Sequence, residues 1–308
     1  MTVEANVSVV IPTVARPSLR RAVESALRQT APPKEVIVVL DADEMPELPE
    51  SDSVSVVRTS GGVGPSMARQ LGVDSSTGDV IALLDDDDVW RADKLEKQLA
   101  AVPQDDDWII SCRIVMHGIG RAPLTVPRRL IRPTDSLIDY LVRFRSWRFG
   151  DACLQTSTLI FPRSIAKAVP LSASAGEVHD DPFWLIMVRR EFPGLPIIQL
   201  PDTLVEYQFS HESVSRSTED RSEEYIDFGL RELAGEPKRI RGDYQLTNPV
   251  TAAINAASMR GVMRSIAAGV RSGRPGPMAW AYALTALARI GLQRAKTAAR
   301  RPPRHGRR

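Results

Sequence analysis

The stretch Val80-Ile81-Ala82-Leu83-Leu84 runs straight into Asp85-Asp86-Asp87-Asp88. Five apolar residues, mostly of β-forming type, read as a strand buried on both faces, as inside a parallel sheet. The four carboxylates at its end are not core, because each would lose its hydration without a partner. Open α/β sheets bind their ligands just beyond the carboxyl ends of the strands, which is where these acids fall. Neighbouring carboxylates repel, so holding them together calls for a compensating cation. A hard divalent ion shared with a phosphate-bearing ligand meets that need. A solvated acidic turn is the bland alternative.

Working outward, the same alternation of elements recurs. Val7 to Ile11 forms a short apolar strand ended by Pro12-Thr13. Leu19, Ala22, Val23, Ala26 and Leu27 then share one face of a helix. Glu35 to Leu40 is a second buried strand ending at Asp41, and Val54 to Val57 is a third. Gly61-Gly62-Val63-Gly64-Pro65 turns into a helix over Ser66 to Asp74, and the aspartate-tipped strand follows. This order predicts a doubly wound, mainly parallel sheet. Beyond Trp90 the sequence predicts a helix over 92–101, an apolar strand over 108–115 and an irregular loop over 117–134. Another helix is expected near 135–145, a strand at 154–161, a helix at 181–191 and two short strands near 197–200 and 204–209. From about Arg221 the pattern turns helical, broken at Gly273 to Gly276.

Composition narrows the class. The 308 residues are 43% hydrophobic, ordinary for a soluble chain holding one large domain and an appendage. Cys112 and Cys153 have no CxxC spacing, so neither a disulfide framework nor a thiolate metal site is supported. Residues 1–10 lack a basic start and a long apolar stretch, and no run reaches the roughly 20 apolar residues of a membrane span. A cytoplasmic chain is expected. The net charge of +2 conceals an asymmetry: after Asp243 there are twelve Lys or Arg and no acid, so residues 1–243 carry −10. An acidic body with a basic tail meets two kinds of partner.

The series Val9-Val10-Ile11-Pro12-Thr13, Ile37 to Asp43, Gly61 to Gln70 and Leu83 to Asp88 resembles family two of the nucleotide-sugar glycosyltransferases, in order and in spacing, across residues 6 to about 100. The resemblance implies the GT-A fold: a Rossmann-like, mixed but mainly parallel sheet flanked by helices, here with a helical C-terminal extension. On that reading residues 1–220 form the transferase domain, its nucleotide-binding half at 1–115 and its acceptor half at 116–220. Residues 221–308 then form the basic extension. The resemblance further implies an inverting, metal-dependent transfer of a sugar from a nucleotide-sugar donor to a hydroxyl acceptor on a glycan, lipid-linked or small molecule. It puts Pro12, Thr13, Arg16, Asp41, Asp43, Gly64, Arg69, Asp85 and Asp86 around the nucleotide. Where the family usually has two adjacent aspartates, this chain has Asp41-Ala42-Asp43, which leaves the base open between UDP and dTDP. Consecutive residues of an extended segment point opposite ways, so Asp87 is assigned the metal, with Asp85 or Asp86 reaching the ribose or a metal-bound water. Mn²⁺ and Mg²⁺ both suit such ligands, and His211 in the late loop is a further candidate ligand.

Direct displacement at an anomeric carbon also needs a base for the acceptor hydroxyl. Asp180 and Asp181, at a predicted helix start, resemble the family's acidic pair, with Asp181 favoured as the base. Capping that helix is the competing role. Trp184 is a candidate sugar platform or a buried aromatic. The tail mixes Trp280, Tyr282 and apolar residues with Arg289, Arg294 and Lys296, which suits peripheral docking on the anionic inner face of a membrane. Nucleic acid is not an expected partner, since the basic run has no interleaved aromatics. Val7 to Leu19 contains no glycine, against a nicotinamide-dinucleotide fingerprint. A nucleotidyltransferase and a non-catalytic nucleotide- or sugar-binding module are the remaining alternatives.

Overall fold

Residue types decide the centre of the sheet. β1 (Val7–Thr13), β2 (Glu35–Leu40), β3 (Val54–Arg58) and β4 (Val80–Leu83) are rich in Val and Ile, and β1 and β4 are buried along their whole length. The computed structural model describes residues 6–118, 122–132, 134–208 and 219–299. The strands β5 (Val89–Trp90), β6 (Ile109–His117), β7 (Leu124–Val126), β8 (Ile160–Pro162) and β9 (Ile197–Gln208) complete a nine-stranded sheet. Its order is β3-β2-β1-β4-β8-β6-β9-β5, with β7 paired to β6. β3, β2, β1 and β4 pair in parallel, and β6 pairs in parallel with β9. β8 runs antiparallel to both β4 and β6, β7 to β6 and β5 to β9, so the sheet is mixed, with six of its nine strands running the same way.

Helices α1 (Leu19–Leu27), α2 (Pro65–Ser75), α3 (Lys94–Ala100), α4 (Leu137–Val142), α5 (Arg163–Ala168) and α6 (Asp180–Glu191) flank these strands. The pleat sends Val7, Val9 and Ile11 of β1 into one core cluster with Leu19, Val23 and Ala26 of α1. Val10 points the other way, with Ala68 and Val73 of α2 and Leu185 of α6. Gly72 sets how closely α2 approaches. A Cβ there would stand 2.3 Å from Val10 Cγ1 and 2.9 Å from Val39 Cγ2.

The second half departs from the sequence expectation at three places. The strand expected over 154–161 shortens to β8, because Thr156–Thr158 form a single 3₁₀ turn whose polar side chains are buried. The two strands expected near 197–209 are one, β9, with register shifts against β6 between Cys112 and Ile114 that absorb Pro201. The loop expected over 117–134 contains β7.

Residues 1–141 and 150–210 form one compact unit; 142–149 and 211–308 form a second. Within the second, α7 (Ser222–Glu232), α8 (Lys238–Gln245), α9 (Asn248–Asn255), α10 (Met259–Ser272) and α11 (Pro277–Ala299) enclose their own core around Leu246, Val250, Val262, Ala283 and Ile290. Asp243, the last acid of the chain, is fully buried. It accepts from Arg239 Nε at 3.0 Å and from the Gly276 amide at 2.7 Å, which ties the break before α11 to α8. No helix among the described residues is long and apolar enough to cross a membrane.

Replacing Gly72 with Val should overpack the α2–sheet contact and cost about 1–3 kcal/mol. Urea unfolding would register this as a lower midpoint with an unchanged slope.

Candidate active site

The parallel strands β1, β2 and β4 all end at one edge, and the candidate residues collect there. Thr13, the last residue of β1, donates its hydroxyl to Asp86 Oδ2 at 2.6 Å and receives the Ala15 amide on the same oxygen at 2.9 Å. Ala15 sits at φ 64°, a left-handed conformation that is strained for a residue with a Cβ. That turn brings Arg16 back over the strand ends, where its Nη1 lies 2.7 Å from Asp86 Oδ1 and 3.4 Å from Asp87 Oδ2. Asp86 is therefore buried with both oxygens engaged, and Pro12 beside it is buried as well.

Asp41 follows β2, and its amide donates to the Thr13 carbonyl at 2.8 Å. Its side chain organises the glycine turn. One oxygen accepts from Thr59 Oγ1 and from the Val63 amide at 3.0 Å; the other accepts from the Gly64 amide at 3.0 Å. Gly61, Gly62 and Gly64 all have positive φ, so this close approach to Asp41 depends on residues without a Cβ. Burial works against the ionised form of Asp41, but these hydrogen bonds outweigh it and hold its pKa below the usual carboxylate range. Asp43 is exposed, and its carbonyl accepts from Arg58.

Arg69, one turn into α2, is buried and joins two elements. It donates from Nη2 to Asp85 Oδ1 at 2.7 Å and from Nη1 to Asp181 Oδ1 at 2.9 Å. The tip of β4 and the start of α6 thus share one guanidinium. Burial pulls the Arg69 pKa down, but Asp181 and Asp85 more than offset this and raise it. Asp180, the first residue of α6, accepts from Ser66 Oγ at 3.1 Å, while its Oδ1 is buried with no hydrogen-bond partner. Burial pushes the Asp180 carboxyl above its usual range, with the charge of Asp181 adding to the effect. His179, just before it, is driven down to about 4 by burial, so its imidazole is neutral near pH 7.

A second set of partners, missed in the sequence reading, comes from the 3₁₀ turn before β8 and the residue preceding it. Gln155 Nε2 donates to Asp88 Oδ2 at 2.9 Å; Ser157 Oγ bonds the same oxygen at 2.5 Å and receives the Asp85 amide at 3.0 Å. Thr156 donates its hydroxyl to Asp181 Oδ2. A run of hydrogen-bonding side chains, Gln155-Thr156-Ser157-Thr158, inside a stretch expected to be buried strand was the available signal. Trp184 is core: its indole donates to the Val169 carbonyl at 2.8 Å, and its ring packs 4.9 Å from Phe161. It is not a sugar platform. His211 lies outside the described residues.

The acids are unevenly matched with cations. Asp85 and Asp181 pair with Arg69, and Asp86 and Asp87 with Arg16, while Asp88 and Asp180 are held by neutral side chains. Burial, reinforced by the neighbouring acids, pushes the carboxyls of Asp85, Asp87 and Asp88 upward, Asp88 furthest. Among the described residues, no three His, Cys, Asp or Glu side chains form a ready-made metal cage. Asp87 is partly exposed beside this excess charge. Its hard oxygens fit a divalent cation whose remaining ligands come from a bound molecule or water.

Comparison with known proteins agrees with this frame. The model of glycosyl transferase family 2 matches residues 8–169, just over half of the chain. The chain belongs to that family. Among its relatives, the uncharacterized glycosyltransferase YwdF of Bacillus subtilis is 37% identical over 109 residues, covering 32% of this chain and 39% of that one. The amylovoran biosynthesis glycosyltransferase AmsB of Erwinia amylovora is 24% identical over 177 residues, or 54% and 56% of the two chains. The chain therefore spans only about half the length of these relatives or less. In fold it is similar to residues 1–349 of S. aureus TarS, solved in complex with UDP-GlcNAc. The TM-score is 0.55 at 13% identity, over 94% of this chain and 92% of that one. The GT-A architecture expected from the sequence, with its helical C-terminal extension, is the architecture observed.

Two predictions follow from the charges. Arg69→Met leaves Asp85 and Asp181 without their shared cation and should destabilise the fold by ~3 kcal/mol in urea titrations. Adding Asp85→Asn should recover part of that loss. For Asp88 the sign runs the other way. Its folded pKa lies above its unfolded value, so folding takes up a proton, and the ionised group costs stability as pH rises through the folded value. Asp88→Asn should therefore raise the melting temperature relative to the parent at about pH 8. That advantage should shrink as pH falls towards the ordinary carboxylate range, about 4.

Proposed function

We propose that this chain is an inverting glycosyltransferase that moves a sugar from a nucleotide-diphosphate donor, UDP or dTDP, to a hydroxyl acceptor. The observation that carries this reading is the Arg69 guanidinium, which joins the strand-tip acid Asp85 to the helix-start acid Asp181 in one site. A nucleotidyltransferase or a passive binding module has no evident use for that second acid. AmsB is named for amylovoran biosynthesis, which favours a biosynthetic acceptor here, whether a glycan, a lipid-linked or a small molecule.

The donor would lie along the strand ends. Asp41 retains lone-pair capacity for a base imino N–H while it fixes the Gly61–Gly64 turn against the ligand. Pro12, Thr13 and Asp43 line the same edge, and Asp85 reaches towards the ribose. Asp86 acts through Thr13 and Arg16, holding the strained turn that aims Arg16 at the diphosphate. Mn²⁺ or Mg²⁺ would be held by Asp87, assisted by Asp85 and with His211 a candidate from the late loop. When bound it would supply Lewis-acid stabilisation of the charge on the leaving diphosphate.

Asp181 is the base. Arg69 on Oδ1 and Thr156 on Oδ2 fix its rotamer, and its side chain remains 34% exposed to an incoming hydroxyl. A carboxylate has about four acceptor positions, so two hydrogen bonds leave room for the substrate's proton. As the hydroxyl oxygen attacks the anomeric carbon, its proton passes to Asp181 and the C–O bond to the diphosphate breaks. Asp180 orients the first turn of α6 through Ser66. The basic C-terminal stretch would dock the enzyme peripherally on an anionic membrane face, where lipid-linked acceptors reside.

Asp181→Asn should lower kcat by about 10²–10⁴ while leaving donor KM nearly unchanged. Thr156→Val should cost less, about tenfold in kcat, with Thr156→Ser close to the parent. Donor-hydrolysis and transfer assays over a panel of nucleotide sugars would measure both. Full activity in Asp181→Asn would remove the base from this scheme.

A further inference from the structure

The short segment Val142-Arg143-Phe144-Arg145-Ser146-Trp147-Arg148-Phe149 groups with the C-terminal helices rather than with the residues on either side of it in sequence. Its anchors are aromatic. The Phe144 ring lies 5.2 Å and the Trp147 ring 5.9 Å from that of Tyr282 on α11, and the two segment rings meet edge-on at 5.9 Å. Even so, Trp147 remains 51% exposed and Phe149 58% exposed, with exposed Arg145 and Arg148 between and beside them. Arginines alternate with aromatics here, and the segment has no acid.

The adjoining helix continues the surface. α11 buries Ala279, Ala283, Ala286 and Ile290, which leaves Ala281, Leu284, Ala288 and Leu292 on its outer side. Leu284 is 55% and Leu292 63% exposed. Tyr282 and the exposed Arg289 are seven residues apart, so they line one edge of this stripe. The sequence holds no acid after Asp243, and Arg300, Arg301, Arg304, Arg307 and Arg308 follow the helix.

We propose that the 142–149 segment is the membrane-seating element of this protein: Trp147 and Phe149 insert at the headgroup level of an anionic bilayer, flanked by Arg145 and Arg148. Amphipathic aromatic rings favour that depth, and arginines beside them pair with lipid phosphates. The apolar outer side of α11 continues the same contact. A second copy of this chain is a poorer occupant, because a twofold contact on this face would set arginines against arginines. Nucleic acid would use the arginines and the rings but would leave Leu284 and Leu292 exposed to water. The inference extends the docking of the C-terminal stretch given above, and its test does not depend on sugar transfer.

Full-length protein would be sedimented with phosphatidylglycerol-containing vesicles and with pure phosphatidylcholine vesicles. It should pellet with the first and stay in solution with the second. Trp147→Ala/Phe149→Ala, both about half exposed, should weaken partition about tenfold in a protein that still unfolds cooperatively. Arg145→Glu/Arg148→Glu should weaken it similarly, and only at low salt. Donor turnover on a soluble acceptor should stay at the parent level in all of these variants. Binding by the aromatic variant equal to the parent, or no binding of the parent to either vesicle, overturns the proposal. So does a vesicle-independent dimer that the substitutions abolish, or loss of vesicle binding to competing single-stranded DNA at equal phosphate.

Discussion

Like charges set the terms for this molecule. Asp85 and Asp181 reach the same place from distant parts of the chain, one at the end of a strand and one at the start of a helix, and each would repel the other. The buried guanidinium of Arg69 lies between them, 2.7 Å from one and 2.9 Å from the other. A planar fork with two outward nitrogens suits this task, which the single ammonium of a lysine would not do as well. Because Arg69 sits on α2, the whole arrangement depends on how α2 packs against β1 and β2, and therefore on the space that Gly72 leaves beside Val10 and Val39.

The rest of the site is built from the same principle, hydrogen bonding in place of hydration. Asp86 is held by Thr13 and Arg16, Asp88 by Gln155 and Ser157, and Asp41 by Thr59 and the amides of the glycine turn. Each of these carboxylates fixes a loop: Asp86 the turn after β1, Asp88 the 3₁₀ turn before β8, Asp41 the entry to α2. Asp87, with the fewest protein partners of the four strand-tip acids, is free to meet a ligand. Of the four aspartates in a row, Asp86 and Asp88 are buried while Asp85 and Asp87 keep some exposure; the run is a turn, closed by the Asp88 amide on the Asp85 carbonyl at 3.2 Å, and not the extended segment expected from the sequence.

Much of this was legible in the residues. The apolar strands, the glycine turn and the acids at strand ends carry strong periodic or compositional signals, and the family resemblance added Asp41 and Arg69 to the strand-tip acids as candidates. What escaped is the work of isolated polar side chains. Thr156 and Ser157 have no motif, and their β-forming neighbours made the segment resemble a continuous strand. Ser66 looks like an ordinary residue of a helix's first turn. Trp184 beside two acids suggested a sugar platform, but the same residue fills the space between α6 and β8, where its indole reaches a carbonyl. The segment 142–149 continued a predicted helix in sequence, and only the ring contacts with Tyr282 reveal where it belongs.

In the proposed mechanism the acids beyond β4 would hold a cation that in turn holds a nucleotide diphosphate. Calorimetric titration of UDP and dTDP into the protein, with Mn²⁺ and again with EDTA, for the parent and for Asp87→Asn, tests it most directly. Nucleotide binding should be saturable, should need the divalent ion and should weaken at least tenfold in Asp87→Asn. Equal binding in EDTA, equal binding by Asp87→Asn, or no heat with either nucleotide under any condition would contradict it.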